Sequence, residues 1–324
     1  MKKDQAREIA AAVNEGGKNI KTKKGKIIYA AVLVIIAAVV IFAGDRLGIF
    51  EPEQPTATPV SGSSVQDCRV HFIDVGQGDC ELVECGGKYM LIDAGENGHE
   101  TEVLNYLHAL GIKKLDYVVA SHQHSDHIGG LSEVLEEFEA ENIIMPRLTK
   151  AQTPTNSTYR EFLNAVKNSG AKVIEAKVGA TYDLGGAKFE ILGPVTNDAE
   201  DINNMTAVIR LDYGKNSFLF TGDAETEEEL EILNNGANLD CDVLKVGHHG
   251  SGTSSSNKFL EAVTPEICVI SCGEGNDYGH PHDNAVKRLK KQTDEIYRTD
   301  ICGDVVISAD GEKLSVSYKN SEVK

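Results

Sequence analysis

The chain has 324 residues, with 50 Asp/Glu against 32 Lys/Arg and a formal net charge of −18, enough for one large or two small domains. Nine Lys/Arg and four Asp/Glu fall within the first 50 residues, which leaves 23 Lys/Arg against 46 Asp/Glu beyond them. So acidic a body excludes a protein that grips long DNA through its phosphates alone, because such binding needs a basic stripe.

In chain order, residues 1–26 come first and are basic, with eight Lys/Arg against Asp4, Glu8 and Glu15. Ile27 to Gly44 follows as 18 residues without a charge, about the shortest run that crosses a hydrocarbon core of ~30 Å. This charge bias predicts that residues 1–26 stay in the cytoplasm and that 27–44 is a single-pass anchor in the cell membrane. Everything after Gly44 is then expected outside the cytoplasm. The charged region is long for a cleavable signal peptide, and no clear small-x-small site follows the apolar run. Residues 45–67, in which Glu51 to Asp67 is rich in Pro, Ser and Thr, read as an extended tether. Residues 68–324 are numerous enough to bury a core of their own.

Arg69 to Val75, Cys80 to Cys85 and Lys88 to Ile92 are short β-rich runs separated by Gly-Gln-Gly and Gly-Gly, which predicts a meander of strands. Thr101 to Leu110 has helical spacing and stops at Gly111. Leu115 to Ala120 reads as a core strand, Leu131 to Glu139 as a helix, Ile143 to Met145 as a strand, and Tyr159 to Asn168 as a helix halted by Gly170. Strands are expected near Lys188 to Leu192, Ala207 to Tyr213 and Ser217 to Thr221, followed by a helix from Glu225 to Leu233 and a strand from Val243 to Val246. Lys258 to Val263 is helix-like, Ile267 to Ser271 a strand, Asn284 to Lys291 a helix, and Asp304 to Ser308 and Lys313 to Tyr318 are closing strands. Strands first and last, with helices between them in two similar halves, point to an α/β domain of two packed sheets with helices outside.

The chemistry concentrates in three histidine clusters. His122-x-His124-x-Asp126-His127 follows the strand Leu115 to Ala120, in a chain with only 10 histidines among 324 residues. Imidazoles and carboxylates together suit zinc, manganese or iron better than magnesium or calcium. Side chains at alternate positions can converge on one ion, while the Asp126-His127 pair reaches a second, so the pattern predicts two metals. His248-His249 offers another ligand. As neighbours the two point apart, His249 being the preferred ligand and His248 facing substrate or core. His280 and His282 flank Pro281, a turn with either solvated or functional imidazoles. Gly250 to Ser256 is rich in small residues and hydroxyls ahead of a helix, which makes Ser251, Thr253 and Ser254 candidate contacts to an anion such as phosphate.

Seven cysteines are an odd number for a segment expected outside the cytoplasm, so at least one is unpaired or pairs between chains. A bridge between Cys80 and Cys85 would close a short stretch. The others read as buried thiols, and no CxxC spacing marks a cysteine zinc site.

With Asp93 in Leu91-Ile92-Asp93-Ala94-Gly95 upstream and Asp223 in Thr221-Gly222-Asp223 downstream, the histidine motif resembles that of the metallo-β-lactamase fold of metal-dependent hydrolases. FIDVGQGD (72–79), LFTGDAE (219–225), DVLKVGHHGSGTSSS (242–256) and YGHPH (278–282) are similar to the extracellular hydrolase domain of the ComEC family of DNA-uptake proteins and its free-standing relatives. The resemblance spans nearly all of residues 68–318 and extends neither to the anchor nor to the family's multi-pass channel. It implies a four-layer αββα fold with two divalent ions, Zn or Mn. His122 and His124 would hold the first, Asp126 and His127 the second, and Asp223 both, with Asp93 behind them. It also puts His280 near the metals, to stabilise or protonate a leaving oxygen. Residues 128–247 contain no histidine, so the third histidine common in the wider fold is missing, and Asn203 stands in its place. An amide oxygen is a weak zinc ligand and a better one for a harder ion, which favours manganese or a labile first zinc; Asn203 could equally be a cap.

The implied activity is that of an anchored, outward-facing phosphodiesterase or nuclease. Asp126 would orient a water that two metals make nucleophilic at neutral pH, and the substrate would be nucleic acid or a cell-wall polymer. A phosphocholine esterase is the alternative that suits an acidic protein; a lactonase or β-lactamase is a third reading, and a catalytically silent binding module a fourth. No protein partner is expected.

Overall fold

The computed structural model describes residues 67–320. The expected cytoplasmic segment 1–26, the anchor 27–44 and the tether as far as residue 66 lie outside the described residues. Among the described residues no helix is long and apolar enough to cross a membrane.

Alternation along the strands decides the layers. The first strands are β1 (Cys68–Phe72), β2 (Glu81–Cys85), β3 (Lys88–Ile92), β4 (Lys114–Val119), β5 (Glu139–Met145) and β6 (Lys172–Glu175). Next come β7 (Thr181–Leu184), β8 (Ala187–Ile191), β9 (Ile209–Tyr213), β10 (Asn216–Phe220), β11 (Val243–Lys245), β12 (Ile267–Ile270) and β13 (Ile296–Arg298). The last two, β14 (Val305–Ala309) and β15 (Leu314–Tyr318), return to the first sheet. The sheets run β15-β14-β1-β2-β3-β4-β5-β6 and β13-β12-β11-β10-β9-β8-β7.

Successive side chains leave a strand on opposite faces, and here each face has its own core. Val70, Phe72, Val83 and Met90 of the first sheet meet Phe189, Leu211, Phe218 and Phe220 of the second between the sheets. The intervening Leu82, Leu91, Leu115 and Val118 face outward, under α1 (Glu100–Ala109), α3 (Leu131–Glu137) and α4 (Ser157–Ser169). On the far side Leu219, Leu244, Cys268 and Ile270 lie under α5 (Thr226–Asn234), α6 (Asn257–Val263) and α7 (Asp283–Leu289). Two short helices, α2 (Ser125–Ile128) and α8 (Thr299–Cys302), complete the set. The result is the expected αββα order of layers. Each fully buried phenylalanine in the middle layer, such as Phe72 or Phe218, contributes about 1.5–3 kcal/mol by leaving water.

Several boundaries differ from expectation. The helix expected over 131–139 ends at Glu137, because Glu139–Met145 is drawn in as a strand parallel to β4. The bridge between Cys80 and Cys85 is corrected: all seven cysteines are free thiols. The two residues are an odd number of positions apart, so Cys80 joins the core under the outer helices while Cys85 joins the core between the sheets. Cys85 instead faces Cys68 across the β1–β2 ladder.

Candidate metal centre

The runs β3-β4-β5-β6 and β10-β11-β12-β13 are parallel, and open α/β sheets gather their sites at the carboxyl ends of such strands. Asp93 follows β3, His122 follows β4, Asp223 follows β10, and His248-His249 follow β11. The motif residues then turn into α2, pinned by backbone bonds from the Asp79 N–H to the Asp126 carbonyl (3.1 Å) and from the Ala94 N–H to the His127 carbonyl (2.8 Å). Gly78, at φ 138°, permits this approach, since a Cβ there would collide with the Asp126 carbonyl oxygen. Asp93, His248 and His249 all sit at positive φ, 56°, 48° and 52°. For non-glycine residues such backbone strain clusters at functional sites.

Two groups of side chains converge on Asp223, and a third, Asp79, Asp93 and His127, lies behind them. Asp126, His127, Asp223 and His249 form one; His122, His124 and Asp223 form the other. Asp223 divides its carboxylate between them. Its Oδ1 lies 3.2 Å from His127 Nε2 and 3.5 Å from His249 Nε2, while its Oδ2 lies 3.9 Å from His122 Nε2. His249 Nε2 is also 3.3 Å from Asp126 Oδ2, and His122 Nε2 is 3.0 Å from His124 Nδ1.

The donor set fits divalent cations. His127 Nε2, His249 Nε2, Asp223 Oδ1 and Asn203 Oδ1 are buried without a hydrogen-bond partner, a rare condition that a cation relieves. Burial, with the charge on His127, holds His122 well below the usual imidazole range, so it presents a neutral lone pair. Burial opposes charge on His127 too, yet Asp223, Asp126 and Asp93 raise it well above that range. Asp223 and Asp79 likewise outweigh burial and lift His249 to about 10. A cluster that draws protons onto two buried imidazoles attracts cations in general.

Behind the ligands lies a buried polar layer. Asp93 accepts from the Ser121 N–H (2.7 Å) and Ser121 hydroxyl (2.5 Å), and its Oδ2 is 2.8 Å from His127 Nδ1. The Nδ1 of His249 lies 2.9 Å from the Ser271 carbonyl and 3.1 Å from Asp79. Asp79 in turn is paired at 2.6 Å with Lys245, which is 1% exposed. Carboxylates placed in this way fix the orientation of metal-ligating histidines.

A cavity of about 420 Å³ opens over both clusters, lined among others by Gln77, Gln123, His124, Asp126, Asn203, Asp223, His248, His249, Tyr278 and His280. Asn203 lies on the short 3₁₀ turn Ile202–Met205, where the cap is Asp201, whose side chain accepts from the Asn203 N–H. The Asn203 side chain bonds Glu225. His249 joins the metal cluster. His248 stands beside it, with Nδ1 3.1 Å from Glu225 Oε1 and Nε2 3.6 Å from Asp223 Oδ2. His280 stacks near His249 at 6.1 Å, and burial together with the neighbouring imidazoles lowers it to about 4, so it is neutral.

Ser251, Thr253 and Ser254, the expected anion contacts, and His282, a candidate substrate contact, are turned to other partners. Thr253 donates to Glu225 at 2.7 Å, Ser251 and Thr253 share a 2.9 Å bond, Ser254 donates to the Ala224 carbonyl at 2.8 Å, and His282 accepts from the Gly252 N–H at 2.9 Å. These groups spend their polar atoms on holding the loop and Glu225, and they do not line the cavity.

Sequence reasoning passed over Asp79, Lys245, Glu225, Gln77, Gln123 and Tyr278. Lys245 left a signal, a lysine inside the apolar run Val243 to Val246. Asp79, Glu225 and Tyr278 lie within the family-like stretches 72–79, 219–225 and 278–282, which marked those segments without giving these residues a role.

Residues 73–274 match the Metallo-beta-lactamase superfamily. ComE operon protein 3 of Bacillus subtilis is 31% identical over 73% of this chain, and the match spans 32% of that protein, so the chain covers about a third of its length. Exodeoxyribonuclease YycJ of Bacillus anthracis is 26% identical over 46% of the chain and 58% of its own length. A crystal structure of CmlA, a diiron β-hydroxylase from Streptomyces venezuelae, shares the fold at TM-score 0.50 and 14% identity, over 74% of this chain and 53% of that one. On the match to residues 73–274 and the arrangement that bears it out, the chain belongs to the metallo-β-lactamase superfamily of hydrolases, in its ComEC-like branch.

Proposed function

We propose that this chain is a metal-dependent phosphodiesterase acting on nucleic acid, anchored by residues 27–44 with its hydrolase domain outside the cytoplasm. The observation that carries the catalytic part is the division of Asp223 between two ligand clusters, beneath a cavity wide enough for a substrate. The name of Exodeoxyribonuclease YycJ supports the substrate class, and the uncharged run after a lysine-rich segment supports the anchor.

Two divalent ions, held by His122, His124 and Asp223 and by Asp126, His127, Asp223 and His249, would supply Lewis acidity and a water nucleophile at neutral pH. Asn203, which lines the same cavity with its amide oxygen unpartnered, would complete the first set, and an amide oxygen there would favour manganese. Glu225 fixes the His248 ring. His280, neutral and with Nδ1 unpartnered, can hydrogen-bond a substrate oxygen without adding charge.

The full chain in detergent, loaded with Mn²⁺ or Zn²⁺, is expected to hydrolyse a chromogenic phosphodiester, and Asp126→Ala to abolish the reaction. Full activity in that variant would sink the mechanism. The orientation is checked by protease added to intact cells, which should remove the domain and leave residues 1–26 protected. A phosphocholine ester is the second reading, favoured by the excess of Asp/Glu beyond residue 50, and belongs in the same substrate panel.

A further inference from the structure

Tyr278 is 65% exposed, the largest fraction among the exposed large apolar side chains described, yet it lies on the wall of the metal-centre cavity. Its ring stacks on His280 at 5.7 Å and 21°, and His280 stacks on His249 at 6.1 Å and 29°. Three rings in near-parallel steps therefore lead from the ligand cluster to solvent, and the outermost keeps one face open. On the same cavity Gln123, only 1% exposed, has neither amide atom partnered. Gln77 has its Oε1 held by the Gly273 N–H at 3.2 Å, which fixes its amide while Nε2 is left buried without a partner. Buried amides without partners are costly, and a ligand oxygen can accept from the Nε2 donors of both.

We propose that these residues form a nucleotide subsite, in which Tyr278 stacks the base next to the scissile phosphate and the amides of Gln77 and Gln123 donate to that phosphate's oxygens. This rests on the phosphodiesterase reading and names its substrate as a single strand. Stacking is the recognition open to this protein: a domain with so many carboxylates gains little from long-range attraction to phosphates, whereas base–aromatic stacking works without charge and tolerates any sequence. A duplex hides its base faces and an unpaired strand presents them. A quaternary ammonium is the less suitable occupant, because such groups are held in cages of several aromatic rings, and Tyr278 is the lone non-histidine aromatic among the described residues lining the cavity.

The test compares p-nitrophenyl thymidine 5′-phosphate, p-nitrophenyl methyl phosphate and p-nitrophenyl phosphocholine, using the Mn²⁺-loaded full chain in detergent. Binding of a fluorescent single strand is measured against its abasic counterpart. The wild type should prefer the base-bearing diester by roughly tenfold in kcat/KM, expressed mostly in KM, as one stacked base predicts. Tyr278→Ala should bring that ratio close to one and Tyr278→Phe should preserve it, while Gln123→Leu should lower the thymidine and methyl diesters alike. Equal rates with and without a base in the wild type, or a Tyr278→Ala loss confined to the phosphocholine ester, would overturn the subsite and leave a phosphodiesterase standing. A wild type that hydrolyses no diester, yet binds the base-bearing strand better through Tyr278, would overturn the hydrolase reading and keep the subsite. Absence of both diester hydrolysis and base-dependent binding overturns both.

Discussion

In one ligand cluster, His127 and His249 each have the ring nitrogen away from Asp223 held by a buried carboxylate, Asp93 at 2.8 Å and Asp79 at 3.1 Å. In the other, His122 leans on the Ser121 hydroxyl at 3.2 Å and on His124 at 3.0 Å. Among the described residues no carboxylate backs either of those rings. Asn203, the remaining candidate there, offers a neutral oxygen. Carboxylates behind a ligand raise its basicity and fix its angle, and removing one typically costs 10–100-fold in affinity or activity. The motif contributes side chains to both clusters, and the buried carboxylates beneath it back the rings of only one.

The comparison breaks most completely at Asp223, the residue common to both sides. Asp223→Ala is expected to lower phosphodiester hydrolysis about a thousandfold or more and to drop bound metal below one ion per chain, as measured by elemental analysis. Lys245→Met acts only on the backed side. It leaves Asp79 charged in the interior with His249 as its remaining close partner and should cost about 3–5 kcal/mol of stability, read from the denaturant midpoint, with Asp79→Asn in the same chain restoring part of the loss. Asp93→Asn should weaken one of two ions by roughly 10–100-fold in competition with a chromophoric chelator, leaving the other where it was. The mildest test needs no mutation. A chelator titration should remove the ions in two steps separated by about tenfold or more, and the first step should perturb the NMR signals of His122 and His124 ahead of those of His127 and His249. A single step for both ions would mean that the carboxylates behind the rings set nothing.

What could be seen in the sequence follows the reach of each signal. The central strands and outer helices announce themselves because their apolar alternation must match a buried face, as in Val83 to Cys85 or Phe218 to Phe220. Edge strands β6 and β13 lack that constraint: Lys172–Glu175 is mostly exposed and Ile296–Arg298 only partly buried, so little in their composition sets them apart from a loop. The same holds at the site. His122 to His127 are close in sequence and carry an unusual composition, whereas Asp79 and Lys245 become partners only when β11 is laid against the turn before β2. Tyr278 shows the opposite failure, since exposure is a property of the folded surface and no local pattern encodes it.

The motif histidines hang from the end of β4 in one sheet, while Asp223 and His249 hang from β10 and β11 in the other. Neither sheet alone supplies either of the clusters that share Asp223. An ion captured there clasps the two halves together, and at a concentration a thousand times its dissociation constant such a clasp adds about 4 kcal/mol to the folded state. Metal uptake would then report on assembly: a chain that has yet to bring its second half against its first lacks Asp223 and His249 beside the motif, and so has neither of the clusters that share Asp223.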